Sequence, residues 1–150
     1  MNKNTFNFII GLLSAIGIIL LLLQLIPYGR AHHNPPTTQE PAWDSIRTRE
    51  LVVRACFDCH SNETVWPWYS HIAPFSWVVH NDVDAGREEV NFSEWDTSKS
   101  KDNTIYESVV DGSMPLKNYL LTHPEAKLSA EEMEALLVGL QATFGGGEED

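Results

Sequence analysis

Cys56-Phe57-Asp58-Cys59-His60 reads as Cys-x-x-Cys-His, the attachment pattern of a c-type haem. Two thiols one helical turn apart can each add to a vinyl group of a porphyrin. The histidine that follows is then held under the ring, where its imidazole can ligate the iron. The chain has 2 cysteines, so neither has another intrachain partner. Three other readings of the same five residues compete. A redox pair of thioredoxin type expects a βαβ setting, and no strand pattern surrounds this stretch. A zinc site takes about four ligands; two of His60, His71 and His80 could join the thiols, but no second Cys-x-x-Cys or close His pair completes the set. A plain disulfide leaves His60 unexplained.

Upstream, a helix is expected from Asp44 or Ser45, either able to N-cap it, to Cys59. Ile46, Val53 and Phe57 form its apolar stripe, with Arg47, Arg49 and Arg54 on other faces. Arg54 could pair with a haem propionate or stand as an ordinary exposed arginine. The stretch His32-His33-Asn34-Pro35-Pro36-Thr37-Thr38-Gln39-Glu40-Pro41 reads as an extended tether, its two histidines as exposed filler. Before it, Phe8 to Ile26 is almost purely apolar, and as a helix it spans roughly 28 Å, close to the hydrocarbon core of a bilayer. Lys3 precedes this run and no acid does, so the N-terminus is expected in the cytoplasm. A cleaved signal peptide is the rival; the exit Ile26-Pro27-Tyr28-Gly29-Arg30-Ala31 is a poor cleavage site, which favours an uncleaved anchor. Tyr28 suits the membrane–water interface. The remainder is then exported to the periplasmic side of the cytoplasmic membrane, where c-type haem is attached.

Charge narrows the partners. Lys plus Arg number 10 and Asp plus Glu 21, and every acid lies beyond the apolar run. That argues against nucleic acid, whose phosphates need a basic footprint. It suits a redox partner with a basic docking face, or merely solvates the surface. The expected organisation is an anchor over 1–30, a proline-rich linker over 31–43, a haem-binding domain over 44–144 and a disordered acidic tail over 145–150.

Downstream of the motif, Trp66, Trp68, Tyr69 and Pro74 lie on a loop rich in aromatics and proline. These residues could wall a porphyrin, with an indole N–H reaching a propionate, or simply pack a core. Pro67 or Pro74 could supply the carbonyl that orients His60 through its Nδ1–H. Pro74 also suits the first turn of a helix to about Glu89. Phe75, Val79, Val83 and Gly86 would face inward and Asp82, Asp84, Glu88 and Glu89 outward. A loop over Asn91–Ser98 and a helix from about Asp102 to Asp111 follow, with Ile105, Val109 and Val110 inward and Gly112 as its stop. Met114-Pro115 comes next. A thioether on a stiffened loop is a candidate sixth ligand, or a core filler; His71, His80, His123 and an open position are its rivals. Tyr119, Leu120 and Leu121 are expected to be buried, and His123-Pro124 marks a turn. Ser129-Ala130-Glu131-Glu132 matches a capping box. Met133, Leu136, Leu137, Leu140 and Phe144 then recur at helical spacing, and Gly145 starts the glycine run that ends the helix. No strand pattern emerges, so the fold expected is all-α: a small helical domain around one haem, preceded by a single transmembrane helix.

Cys56-Phe57-Asp58-Cys59-His60-Ser61-Asn62, Trp66-Pro67-Trp68-Tyr69, Ile72-Ala73-Pro74, Asn91-Phe92-Ser93-Glu94-Trp95, Met114-Pro115 and His123-Pro124 occur in this order over roughly 44–143. In this the chain resembles a family of short, membrane-anchored bacterial haem-binding domains, related in pattern to class I c-type cytochromes. The resemblance implies one covalently bound haem c, with His60 and Met114 as iron ligands. With both iron positions filled by protein side chains, the function expected is single-electron transfer. Two rivals are a peroxidase-like enzyme with a displaceable sixth ligand and a redox or gas sensor acting through a membrane partner.

Overall fold

Helices supply the regular structure among the described residues of the computed structural model, which are 2–99 and 103–145. One isolated parallel bridge joins Gln39 to Glu94. The expected helix start at Asp102 and the acidic tail over 146–150 lie outside the described residues. The chain divides into two units, one formed by residues up to His32 with Trp66–Asn81, the other by His33–Val65 with residues from Asp82 onward. Residues 66–81 thus group with the N-terminal segment.

The first unit holds α1, Lys3–Leu23, with Asn2 as N-cap. Its 21 residues are mostly apolar, with Lys3, Asn4, Thr5, Asn7 and Ser14 as polar exceptions, and none is buried; at 1.5 Å per residue they extend about 31 Å, enough to cross a membrane. A 3-10 turn, Trp68–His71, and the first half of α4, Phe75–Glu89, complete this unit. Phe75, expected inward, is 58% exposed, while Ser76 is fully buried. His32 is half-buried rather than free, its ring stacked on Trp66 at 4.4 Å.

In the second unit, Ser45 caps α2, Ile46–Ala55, by accepting from the Thr48 N–H at 3.1 Å. The buried face is Thr48, Leu51, Val52 and Ala55, spaced i, i+3, i+4, i+7, while Ile46 is 81% exposed. The stripe expected through Ile46 and Val53 is therefore on the water side. The helix also breaks before Cys59. Cys56 takes the last α2 bond from Val52 O at 2.8 Å, then adopts φ −129°, and a short helix α3 runs Phe57–His60. On an unbroken helix Phe57 would follow Val53 onto the exposed face; the break turns it into the core, where it is 3% exposed.

That core is Leu51, Val52, Phe57, Val90, Phe92, Val109, Leu136, Leu140 and Phe144. Phe92 is its aromatic centre, with Phe57 at 5.8 Å, Trp43 at 5.4 Å and Trp95 at 6.2 Å between ring centroids. Helix α5, Thr104–Val110, buries Val109 but leaves Val110 exposed, and Gly112 follows at φ +73°, the left-handed stop expected of it. Helix α6, Lys117–Thr122, holds Tyr119 and Leu120 half-buried, but Leu121 is 84% exposed. A 3-10 turn at Pro124–Ala126 leads to α7, Ala130–Phe144. Its capping box is complete: Glu132 N donates to Ser129 Oγ at 3.2 Å, and Ser129 N donates to Glu132 Oε2 at 2.9 Å.

The proline-rich stretch is extended and hydrogen-bonded along the second unit. Thr38 N and Gln39 N donate to Ser93 O at 2.8 and 3.2 Å, and Trp95 N donates to Gln39 O at 2.9 Å.

Candidate cofactor site

A cavity of about 410 Å³ opens in the second unit, within the range of roughly 300–1,000 Å³ usual for cofactor pockets. Val52 and Ala55 of α2, Val90, Phe92, Ile105 and Leu140 make its apolar walls. Cys56, Cys59 and His60 line it, as do Met114 and Tyr119.

The geometry of His60 is set by two backbone carbonyls. Its Nδ1 lies 3.0 Å from Gly86 O and 3.2 Å from Val90 O. A carbonyl can only accept, so Nδ1 carries the proton and Nε2 keeps a free lone pair. This fixes the tautomer and orients the ring, the usual arrangement behind a metal-binding histidine. The carbonyls belong to the C-terminal end of α4 and not to Pro67 or Pro74, as the sequence had suggested. Burial holds the imidazole below the ordinary histidine pKa, against a raising effect of the two carbonyls, so the ring is neutral at neutral pH. Phe92 N donates to His60 O at 2.8 Å and secures the backbone behind the ring.

Gly86 makes this possible. A Cβ at this position would fall on the Cys59 carbonyl oxygen, with the carbonyl carbon at 2.9 Å and the Cys59 Cβ at 3.0 Å. Only glycine lets α4 come this close to α3. The two sulfurs are unbonded to each other. Both thiols are half-buried where they face the cavity, and the apolar surroundings push Cys56 up to about 12 and Cys59 up to about 11.

Several residues besides the two cysteines and His60 hold the motif in place. Asp58 accepts from Tyr119 Oη at 2.8 Å with Oδ2 and from Val65 N at 2.9 Å with Oδ1. Arg87 donates to Ser61 O at 2.7 Å, to Thr64 Oγ1 at 2.9 Å, to His33 O at 2.8 Å and to Asn34 Oδ1 at 2.9 Å. Asn62 donates to Glu94 Oε1 at 2.7 Å and accepts from Asn91 Nδ2 at 2.9 Å, and its own N–H donates to Ser93 Oγ at 3.0 Å. The blocks Ser61-Asn62 and Asn91–Glu94 are thus one buried polar network. Asp58 was visible as part of the motif; nothing in the sequence marked Arg87.

Met114 sits on the loop after Gly112, its N–H donating to Ser108 O at 2.9 Å. Among its rivals, His123 stacks on Tyr119 at 4.2 Å. His71 and His80 belong to the first unit, His71 beside His32 at 4.3 Å and His80 against Tyr28 at 5.1 Å. None of the three lines the cavity. Trp66, Trp68, Tyr69 and Pro74 do not line it either and lie in the first unit; Trp66 meets His32, and Trp68 and Tyr69 pack edge-on at 5.9 Å. Arg54 forms an ion pair with Glu132 at 2.6 Å. Among the described residues no three His, Cys, Asp or Glu side chains are grouped to hold a metal ion.

Two thiols, a fixed neutral imidazole and a thioether on the apolar walls of one cavity fit a covalently held haem. A model of the haem-binding domain family matches residues 18–142. No curated protein and no solved structure matches the chain.

Proposed function

We propose that this chain, which belongs to the haem-binding domain family, is a membrane-anchored c-type monohaem protein that passes single electrons at the outer face of the cytoplasmic membrane. The family and the Cys-x-x-Cys-His pattern support haem binding; the further assignments are as follows. Cys56 and Cys59 would hold the haem as thioethers, and His60 Nε2 and Met114 would ligate its iron. One haem c is the cofactor, and α1 is the anchor, with its N-terminus in the cytoplasm. The haem-binding domain follows the linker, over 44–144.

The observation that carries this reading is the pair of carbonyls on His60 Nδ1, in a cavity shared with both thiols and Met114. A bound haem supplies an iron that cycles between two oxidation states. The chain's own contribution is to fix the imidazole, exclude water with apolar walls, and occupy the remaining ligand position with a neutral sulfur. A neutral thioether favours the reduced iron relative to a second nitrogen ligand. The ionisable side chains lining the cavity besides the thiols, His60 and Tyr119 are Asp82 and Glu89. Asp82 was expected to face out; it is half-buried, and burial raises its pKa. With two acids and no Lys or Arg among the cavity's described lining residues, a redox partner with a basic face is favoured.

The test is the visible and far-red spectrum of the full chain beside Met114→Ala. A low-spin spectrum whose sulfur-to-iron charge-transfer band vanishes in the variant supports the electron carrier. A high-spin spectrum that shifts on adding carbon monoxide or peroxide overturns it in favour of a sensor or peroxidase. Haem staining after denaturing electrophoresis tests attachment: stain that persists on the Cys56→Ala/Cys59→Ala chain overturns the thioether assignment.

A further inference from the structure

Charge divides between the two units. Of the 10 Lys and Arg residues, the first unit holds only Lys3 and Arg30, and of the 21 Asp and Glu residues it holds none. In a chain this acidic, the stretch Trp66–Asn81 carries no Asp, Glu, Lys or Arg at all.

That stretch is tied to the residues just past the end of α1. Gln24, the C-cap of α1, donates its side-chain amide to Ala73 O at 2.9 Å, and its Oε1 accepts from Ala73 N at 3.0 Å. Tyr28 Oη donates to Asn81 Oδ1 at 2.6 Å, and Ser76 Oγ donates to Tyr28 O at 3.3 Å. Gly29, at φ +73°, leaves room for this approach, since a Cβ there would lie 2.7 Å from the Ser76 carbonyl carbon. Ala73 to Asn81 is therefore held at the level where α1 ends.

The side chains presented at that level are the wrong way round for water. Trp68 is 75% exposed, Ile72, Phe75 and Val78 are exposed too, and Ser70 and Ser76 are fully buried. Leu25, Ile26 and Tyr28, between α1 and the tie, are exposed as well. Large apolar and aromatic side chains beside the end of a spanning helix match the membrane–water interface, where indole and phenol rings concentrate. The absence of acids removes repulsion from anionic headgroups, and Arg30 adds attraction.

We infer that Trp68, Ile72, Phe75 and Val78 form a membrane-contact face that inserts into the headgroup–acyl boundary of the leaflet where α1 ends. This rests on reading α1 as membrane-spanning. The face holds the 66–81 segment down on the lipid, so that the chain leaves the bilayer through a docked platform and not a free tether.

The test uses the full chain in vesicles of phosphatidylethanolamine and phosphatidylglycerol. A photoreactive p-benzoylphenylalanine replaces Leu13, Trp68 or Phe75 in separate variants, each checked by far-UV circular dichroism. After irradiation, the expected result is a mass gain of one phospholipid at all three positions. An adduct at position 13 with none at 68 and 75 overturns the contact face and leaves the anchor standing. Cross-links from 68 and 75 to protein, in place of lipid, overturn it in favour of a second copy or another protein. No lipid adduct at position 13 overturns the anchor reading and this inference with it. Phe75 is the most conservative replacement, so its result decides if the Trp68 variant misfolds.

Discussion

Gly86→Ala adds one methyl group where α4 meets the haem motif, and its effect follows from three terms. The new Cβ would fall on the Cys59 carbonyl, with the carbonyl carbon at 2.9 Å. The obstacle is backbone, so α4 and α3 must separate, a cost of about 1–3 kcal/mol for overpacking. Separation also lengthens the bond from His60 Nδ1 to Gly86 O, now 3.0 Å, which is worth about 1 kcal/mol. Against this, alanine is favoured over glycine in a helix by about 1 kcal/mol. The expected net loss is about 1–3 kcal/mol, read as a lower urea midpoint for the haem-loaded chain in detergent. Because one of the two carbonyls that orient His60 is also drawn away, the low-spin fraction of the haem should fall in the folded variant at neutral pH, which a purely structural change elsewhere would not produce. A variant as stable as the parent with an unchanged spectrum would refute the close approach as the feature that positions His60.

Arg87→Met should cost roughly 2–4 kcal/mol by removing four donated bonds that tie Ser61, Thr64, His33 and Asn34 together; Arg87→Lys should recover only part, since an ammonium lacks the planar fork, and urea unfolding of both variants checks this. Asp82→Asn should stabilise the fold at pH 7. Burial raises the Asp82 pKa in the folded state, so the native acid is penalised while ionised, and the gain should shrink as pH falls toward the ordinary aspartate range, where both states are protonated. The same variant removes a negative charge from the cavity lining and should raise the reduction potential of a bound haem, because that charge favours the oxidised iron; spectroelectrochemistry decides the sign. Ser129→Ala removes the N-cap of α7 and should cost about 1 kcal/mol in thermal or urea unfolding. Glu132 sits in the same cap, where the bonds from Arg54 and then Ser129 N hold its carboxyl down to about 2. Its support is present above the ordinary glutamate range and lost as pH falls through about 2.

The features legible from sequence were those written within one or two turns of chain. The Cys-x-x-Cys-His spacing pointed to the cofactor class, the apolar run over Phe8–Ile26 to α1, and Ser129 with Glu132 to the start of α7, because each depends on neighbours a few residues apart. Periodicity failed where two stripes competed: Ile46 and Val53 looked as apolar as Leu51 and Val52, and only the packing of α2 decided which pair is buried. It failed again at Phe57, since the break at Cys56 has no local signature and follows from the core drawing that ring inward. The partners of His60 are 26 and 30 residues away, and backbone carbonyls carry no side-chain identity for a sequence to display. The Trp66–Tyr69 loop shows the same limit. Its composition reads as aromatic and apolar, equally suited to walling a porphyrin or packing a core. Hydrogen bonds from Gln24 and Tyr28 tie the residues that follow the loop, Ala73 and Asn81, to the end of α1, a placement no local pattern shows, because which surface an aromatic residue meets is decided by what the rest of the chain places beside it.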